Sequence, residues 1–186
     1  MKLGIVPSFF EMQGMSLVEK LLVWTEKVNA VINWVVERTC IAIMALLTVL
    51  VTYQVVTRYV FNSPSAVSEV LSRYMFVWLV LIGSAYVFGL REHMAITYVR
   101  DKFSPRIGII VDIVTEWGIA IFAFIVMWQG GYKASVRQMW QLDSALEIPM
   151  GVIYAALPIS GALILIYFVI NQLKLVHQFQ QIRLKG

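Results

Sequence analysis

One cysteine, two histidines and five prolines stand among 186 residues, and only 14% of the chain is charged. The single Cys40 excludes an intrachain disulfide and paired-thiol redox chemistry. In its apolar run it reads as a buried, inert thiol. His93 lies at the end of an apolar run and His177 in the tail, so no pair of histidines can hold a haem between helices. No cluster of His, Cys and carboxylates offers metal ligands, and no Ser–His or Cys–His pairing offers an activated nucleophile. Glycine-rich phosphate loops are absent. The basic residues are scattered rather than gathered into a stripe, which excludes a nucleic-acid partner. No catalytic, metal or cofactor-binding residue is expected.

What the chain holds in excess is apolar surface. Apolar residues make up 60% of it, against roughly 45–50% in a soluble domain, and the mean hydropathy is +0.77. A soluble domain of this size needs far more polar surface to cover its core. The composition therefore describes an all-α integral membrane protein. A span takes about 20 apolar residues, and the hydropathy pattern divides into four transmembrane helices preceded by an N-terminal interfacial amphipathic helix.

Residues 1–15 read as an extension: Lys2 begins a short apolar stretch that reaches Glu11 without a small-x-small cleavage site, too weak for a cleaved leader. Ser16 and Glu19 form a capping box. After it, Leu17, Leu21, Trp24, Val28, Val31, Ile32 and Val35 recur at helical spacing, with Glu19, Lys20, Glu26, Lys27, Asn33 and Glu37 mostly opposite. Residues 16–38 are expected to lie in the membrane interface, on lipid. The four-helix domain is expected over 39–173, with spans near 39–60, 66–90, 106–132 and 148–173, and a cytoplasmic tail over 174–186. Asn62-Ser63-Pro64-Ser65 separates the first two spans, Ser104-Pro105 starts the third, and Pro158 is expected to kink the fourth.

Eleven Lys and Arg fall on the side of the termini and four on the other side, at Arg58, Arg73, Lys133 and Arg137. The positive-inside rule then makes both termini cytoplasmic. Tyr59, Tyr74, Trp128 and Tyr132 are expected as aromatic anchors at the outer boundary, Trp34 and Trp117 at the inner one. Glu69 and Arg73 stand at i and i+4, in the favourable order for an ion pair. Asp112 and Glu116, one turn apart early in the third span, are expected to pair with Arg106 or a loop arginine, or to meet another protein, rather than to relay protons. A relay needs an acid at mid-depth elsewhere, and no other span carries one.

Small residues mark the faces where helices approach closely. Gly83, Ala85 and Gly89 lie in the second span, and Gly151, Ala155, Pro158 and Gly161 in the fourth. They are candidate contacts among the four helices or with a partner subunit. Residues 39–90 and 107–173 do not repeat one another, and four helices are too few to enclose a substrate path alone.

The run Arg58-Tyr59-Val60-Phe61-Asn62-Ser63, followed by Ser68-Glu69, Arg73, Trp78, Gly83-Ser84-Ala85 and Arg91-Glu92-His93-Met94, resembles the small membrane subunit of TRAP transporters, the DctQ-like family. Leu146-Glu147-Ile148-Pro149-Met150 with Tyr154 and Leu157-Pro158-Ile159-Ser160-Gly161 resembles it too. Val67, Val70 and Thr97 stand where that family often carries Trp, Glu and Asp. The likeness covers about residues 35–170. It implies a bacterial inner-membrane scaffold for a large permease subunit, in a tripartite system that takes up a small organic anion such as a C4-dicarboxylate or sialic acid, typically with sodium. A periplasmic substrate-binding protein is the implied third component. Arg58, Asn62, Glu69, Arg73, Arg137, Asp143 and Glu147 are then candidate docking residues for it. A small four-helix channel or exporter and a membrane-bound redox protein are the other readings of the composition.

Overall fold

The computed structural model describes residues 17–90 and 105–185, with side chains at 24–90, 108, 110–111, 113–173 and 175. The expected extension over 1–15, the caps Ser16 and Ser104, the motif at 91–94 and the side chains of Arg106, Asp112 and His177 lie outside the described set.

Two long stretches contain neither glycine nor proline, residues 15–63 and 162–185. Without these breakers nothing in the backbone stops a helix. The first stretch forms α1, Leu17–Tyr59, 43 residues without a break. At about 1.5 Å per residue that is roughly 65 Å, more than twice a hydrocarbon core of about 30 Å. The boundary expected at residue 38 is thus a change in what the helix presents and not an interruption of it. The second stretch carries the last helix through the residues expected as a tail.

A left-handed Asn62, φ 51°, ends the first crossing. It lets the Ser63 N–H donate back to the Thr57 carbonyl at 3.0 Å and turns the chain into α2, Ala66–Leu90. The third crossing starts as α3, Pro105–Phe122, passes into a π-helical segment, Ala123–Gly130, and finishes as α4, Gly131–Arg137. The chain returns through a loop, the short α5 at Met150–Tyr154, and α6 at Ala156–Lys185. Pro158 has no N–H to give the Tyr154 carbonyl, and the helix is interrupted at Ala155, between α5 and α6. Among the described residues, four stretches are long and apolar enough to cross a membrane: Trp24–Tyr59, Ala66–Leu90, Ile113–Arg137 and Met150–Leu173. The protein is an all-α integral membrane protein.

α6 is the centre of the bundle. It packs against α2, against the third crossing and, toward the chain termini, against α1, while the rest of α1 lies along α2. Ala85 and Phe88 of α2, Ala123 and Met127 of the π segment, and Ile164 and Tyr167 of α6 form the core. The π segment has a geometric consequence here. Ala123, Met127, Gly131 and Ser135 are all buried at a constant spacing of four. On a regular helix that spacing drifts by about 40° per step; the wider π turn reverses the drift and holds all four toward α5 and α6.

Glycines let these backbones meet. A Cβ on Gly161 would lie 2.9 Å from the Met127 Cβ and 3.1 Å from the Trp128 amide nitrogen. On Gly131 it would sit 2.7 Å from the Leu157 Cβ. On Gly89 it would enter the Tyr167 ring, 2.5 Å from Cε1. Gly83, by contrast, has open space around it.

Gly89→Leu is therefore expected to destabilise the protein by roughly 1–3 kcal/mol or more, because Tyr167 is itself fully buried and cannot give way. Gly83→Ala is expected to leave the melting temperature in mild detergent at or slightly above that of wild type, since nothing lies within 4 Å of the added Cβ and alanine favours a helix over glycine. Thermal unfolding of the two variants side by side checks both statements.

Candidate functional site

Three polar arrangements interrupt the apolar bundle, and each joins two helices. The first lies where α1 meets α2 near the corner between them. Gln54 donates from Nε2 to the Ser68 carbonyl at 2.8 Å, and Ser68, buried, donates its hydroxyl to the Ser65 carbonyl at 2.9 Å. The second lies toward the chain termini. Tyr167 is wholly buried and donates its hydroxyl to Asn33 Oδ1 at 2.7 Å. Asn29, one turn earlier on α1, has a buried side-chain oxygen with no partner among the described residues. Asn33 was expected on the outward polar face of this segment. Instead it turns inward, while Trp24, Val31 and Val35 of the apolar stripe are exposed. Tertiary packing against a tyrosine hydroxyl decides this, since a buried phenol needs an acceptor.

The third arrangement involves Glu116, which is buried and accepts from Gln172 Nε2 of α6 at 2.9 Å. The partner described is an amide of the neighbouring helix; the side chain of Arg106 and the loop arginines expected beside Glu116 lie outside the described residues. Asp112 lies one turn earlier on α3, its side chain outside the described set. Trp117, next to Glu116, packs edge-on against Phe168 with ring centroids 5.2 Å apart. Among the described residues no three of His, Cys, Asp and Glu come together as a metal site.

The end of the bundle opposite the chain termini carries the candidate docking residues, and the structure divides them. Asn62 holds the left-handed turn. Glu69 and Arg73 form an exposed ion pair at 3.4 Å, of the kind that contributes little to stability. Arg58, Arg137 and Glu147 are exposed, and Glu147 has φ 55°, a second left-handed turn residue. Asp143 is different: its carboxylate accepts from the Tyr74 hydroxyl of α2 and, through Oδ1, from the amides of Ala145 at 2.9 Å and Leu146 at 3.0 Å. With the Leu142–Pro149 bridge and the Met150 amide donating to the Gln141 carbonyl at 2.8 Å, this makes the loop over 138–149 a closed unit latched to α2. The latch escaped sequence reading because Tyr74 and Asp143 are 69 positions apart.

Beside the latch is an open apolar groove of about 280 Å³, walled by Ile43, Leu71, Met75 and Trp78 on one side and by Leu146 and Val152 on the other. Of the candidate packing residues, Ala85 and Gly89 are buried on α2, and Pro158 and Gly161 on α6. Gly151 is pressed on the Ser135 carbonyl and Met139, while the Ser135 hydroxyl donates to the Gly151 carbonyl at 2.6 Å. Ala155 stands at the interruption between α5 and α6. The largest feature is the apolar surface left outside: the most apolar stretch of α1 has no residue buried within the chain.

Residues 47–178 match the family described as tripartite ATP-independent periplasmic transporters, DctQ component. A protein of Haemophilus influenzae named as a TRAP transporter small permease protein is 31% identical over 133 residues, 72% of this chain and 82% of that one. The sialic acid TRAP transporter small permease protein SiaQ of Vibrio cholerae is 28% identical over 156 residues, 83% of this chain and 86% of that one.

The hydrogen bond from Tyr74, then those from the Ala145 and Leu146 amides, hold the Asp143 carboxyl below its ordinary value. A carboxyl so held binds its proton less readily in the folded loop than in the unfolded chain. The loop therefore gains stability above about pH 4 and loses it on further acidification. Limited proteolysis within 138–149 is expected to be slow and constant from pH 8 to 5 and to quicken below about pH 4. Tyr74→Phe should raise cleavage at neutral pH and flatten the acid rise.

Proposed function

Given that the chain belongs to the DctQ component family of the tripartite ATP-independent periplasmic (TRAP) transporters, as a TRAP small permease, we propose that it braces the large permease subunit during ion-coupled uptake of a small organic anion. The observation that carries this reading is where the apolar surface goes. α1 offers Ile41, Met44, Leu46, Val49, Val55 and Val56 outward and buries nothing of its most apolar stretch. α6, by comparison, is closed in by its neighbours. A helix that gains so little from its own chain is suited to hold a second membrane protein, since lipid and protein are nearly equivalent apolar surroundings and fit decides between them.

The interior supports a scaffold over a carrier. Gln54, Ser68, Asn33, Tyr167, Glu116 and Gln172 all make hydrogen bonds between or within helices. A substrate path needs polar groups at mid-membrane facing a cavity, and the groove described above is apolar. The substrate would then be handled by the other two components. The Vibrio cholerae relative's name speaks of sialic acid, and we extend to this chain only the class of small organic acids, with sodium as the coupling ion.

In this reading the protein lies in the bacterial inner membrane with both termini cytoplasmic, following the excess of Lys and Arg on their side. The end carrying the Asn62 turn and the latched loop faces the periplasm. Arg58, Asn62, Glu69, Arg73 and Glu147 would take part in docking the substrate-binding protein, and Asp143 would act indirectly by keeping the loop in place.

A tagged copy of the full chain, purified in mild detergent from cells expressing the whole system, is expected to bring down one large hydrophobic subunit in equal amount. Deleting the chain should abolish uptake. Recovery of homo-oligomers alone would overturn the proposal. For orientation, Trp140→Cys is expected to react with a membrane-impermeant maleimide in intact cells, and Lys185→Cys only after lysis.

A further inference from the structure

Lys133 and Arg137 stand one turn apart on α4, both exposed, and neither forms an ion pair among the described residues. Of the acids at the same end, Glu69 pairs with Arg73 and Asp143 binds Tyr74 and two backbone amides, while the exposed Glu147 forms no ion pair among the described residues. The inward face of α4 is occupied, with Gly131 against Leu157 and Ser135 bonded to Gly151. The outward face therefore belongs to Lys133 and Arg137 together with Tyr132, Val136 and, just beyond the helix, Trp140. Trp140 is 93% exposed, the most exposed large apolar side chain among the described residues.

Depth narrows what can meet this face. Residues 117–132 carry no charge, and Lys133 and Arg137 are the first charges that follow them. The hydrocarbon therefore ends near the last turn, residues 133–137, which puts that turn in the headgroup layer. That is the level of the lipid phosphates.

We propose that this face binds an anionic phospholipid in the leaflet opposite the chain termini. Arg137 offers a planar fork for two phosphate oxygens and Lys133 a point charge beside it. Tyr132, one residue nearer the hydrocarbon, lies against the glycerol and the first methylenes, where amphipathic rings settle. Two exposed cations without counter-charges, interleaved with aromatic surface at phosphate depth, match a lipid headgroup in charge as well as in polarity. An acidic soluble protein would match the charge, but it meets residues that clear the headgroups, and Lys133 does not.

The full chain in nanodiscs of mixed phosphatidylglycerol and phosphatidylcholine, extracted into mild detergent and analysed for retained lipid, tests the proposal. Wild type is expected to keep phosphatidylglycerol in preference, the preference falling with salt. Lys133→Gln with Arg137→Gln should reduce it roughly 10- to 30-fold, the effect of two cations near an anionic surface, with the melting temperature in phosphatidylcholine unchanged. Lys133→Arg with Arg137→Lys should retain it. Equal retention by the Gln variant, no preference in wild type, or loss in the charge-retaining variant would each overturn the proposal. So would a Gln variant that keeps its lipid but no longer binds the periplasmic component.

Discussion

Hydrocarbon is as good a surrounding for leucine and valine as another helix is, so α6 cannot hold its neighbours by hydrophobicity alone. It holds them by fit. Gly161 lets it approach the Met127 and Trp128 backbone, the Gly131 backbone accepts Leu157 and Pro158, and Gly89 gives its place to the Tyr167 ring. Each of these contacts needs the missing Cβ. The π segment is part of the same fit, since it keeps Ala123, Met127, Gly131 and Ser135 on one line toward α5 and α6. Remove the close approach and the core has no common centre.

Polar groups add direction to that fit. In a low-dielectric interior an unpaired hydroxyl or carboxyl is costly, so each buried one selects a partner. Tyr167 selects Asn33 and so sets which face of α1 turns inward; Gln172 does the same for Glu116 across α3 and α6. At the far end Tyr74 and Asp143 hold the return loop against α2. In the proposed scaffold, function falls to the outside of the bundle, chiefly the unburied face of α1.

Composition and hydropathy made the class and the number of spans legible. The second helix starts at Ala66, just past Pro64, a strong local signal that the sequence shows directly. The first and last helices run further than the apolar runs suggest. Hydropathy marks where lipid contact ends, whereas these two helices meet no breaker, since neither 15–63 nor 162–185 contains glycine or proline. The small residues were legible as close-packing candidates but not in their individual roles: Gly89 and Gly161 abut neighbours, Gly83 does not.

The sequence by itself determined a membrane protein of four apolar helices, the family likeness and the turns at Asn62 and Pro158, because these depend on local composition and short-range spacing. Only the tertiary structure decided that α6 is central, that α1 leaves its apolar face outward, that Asn33 points in, and that Asp143 latches a loop instead of standing free. Those outcomes rest on pairs as distant in sequence as Asn33 and Tyr167. No periodicity along one helix encodes which residue of another will offer the acceptor.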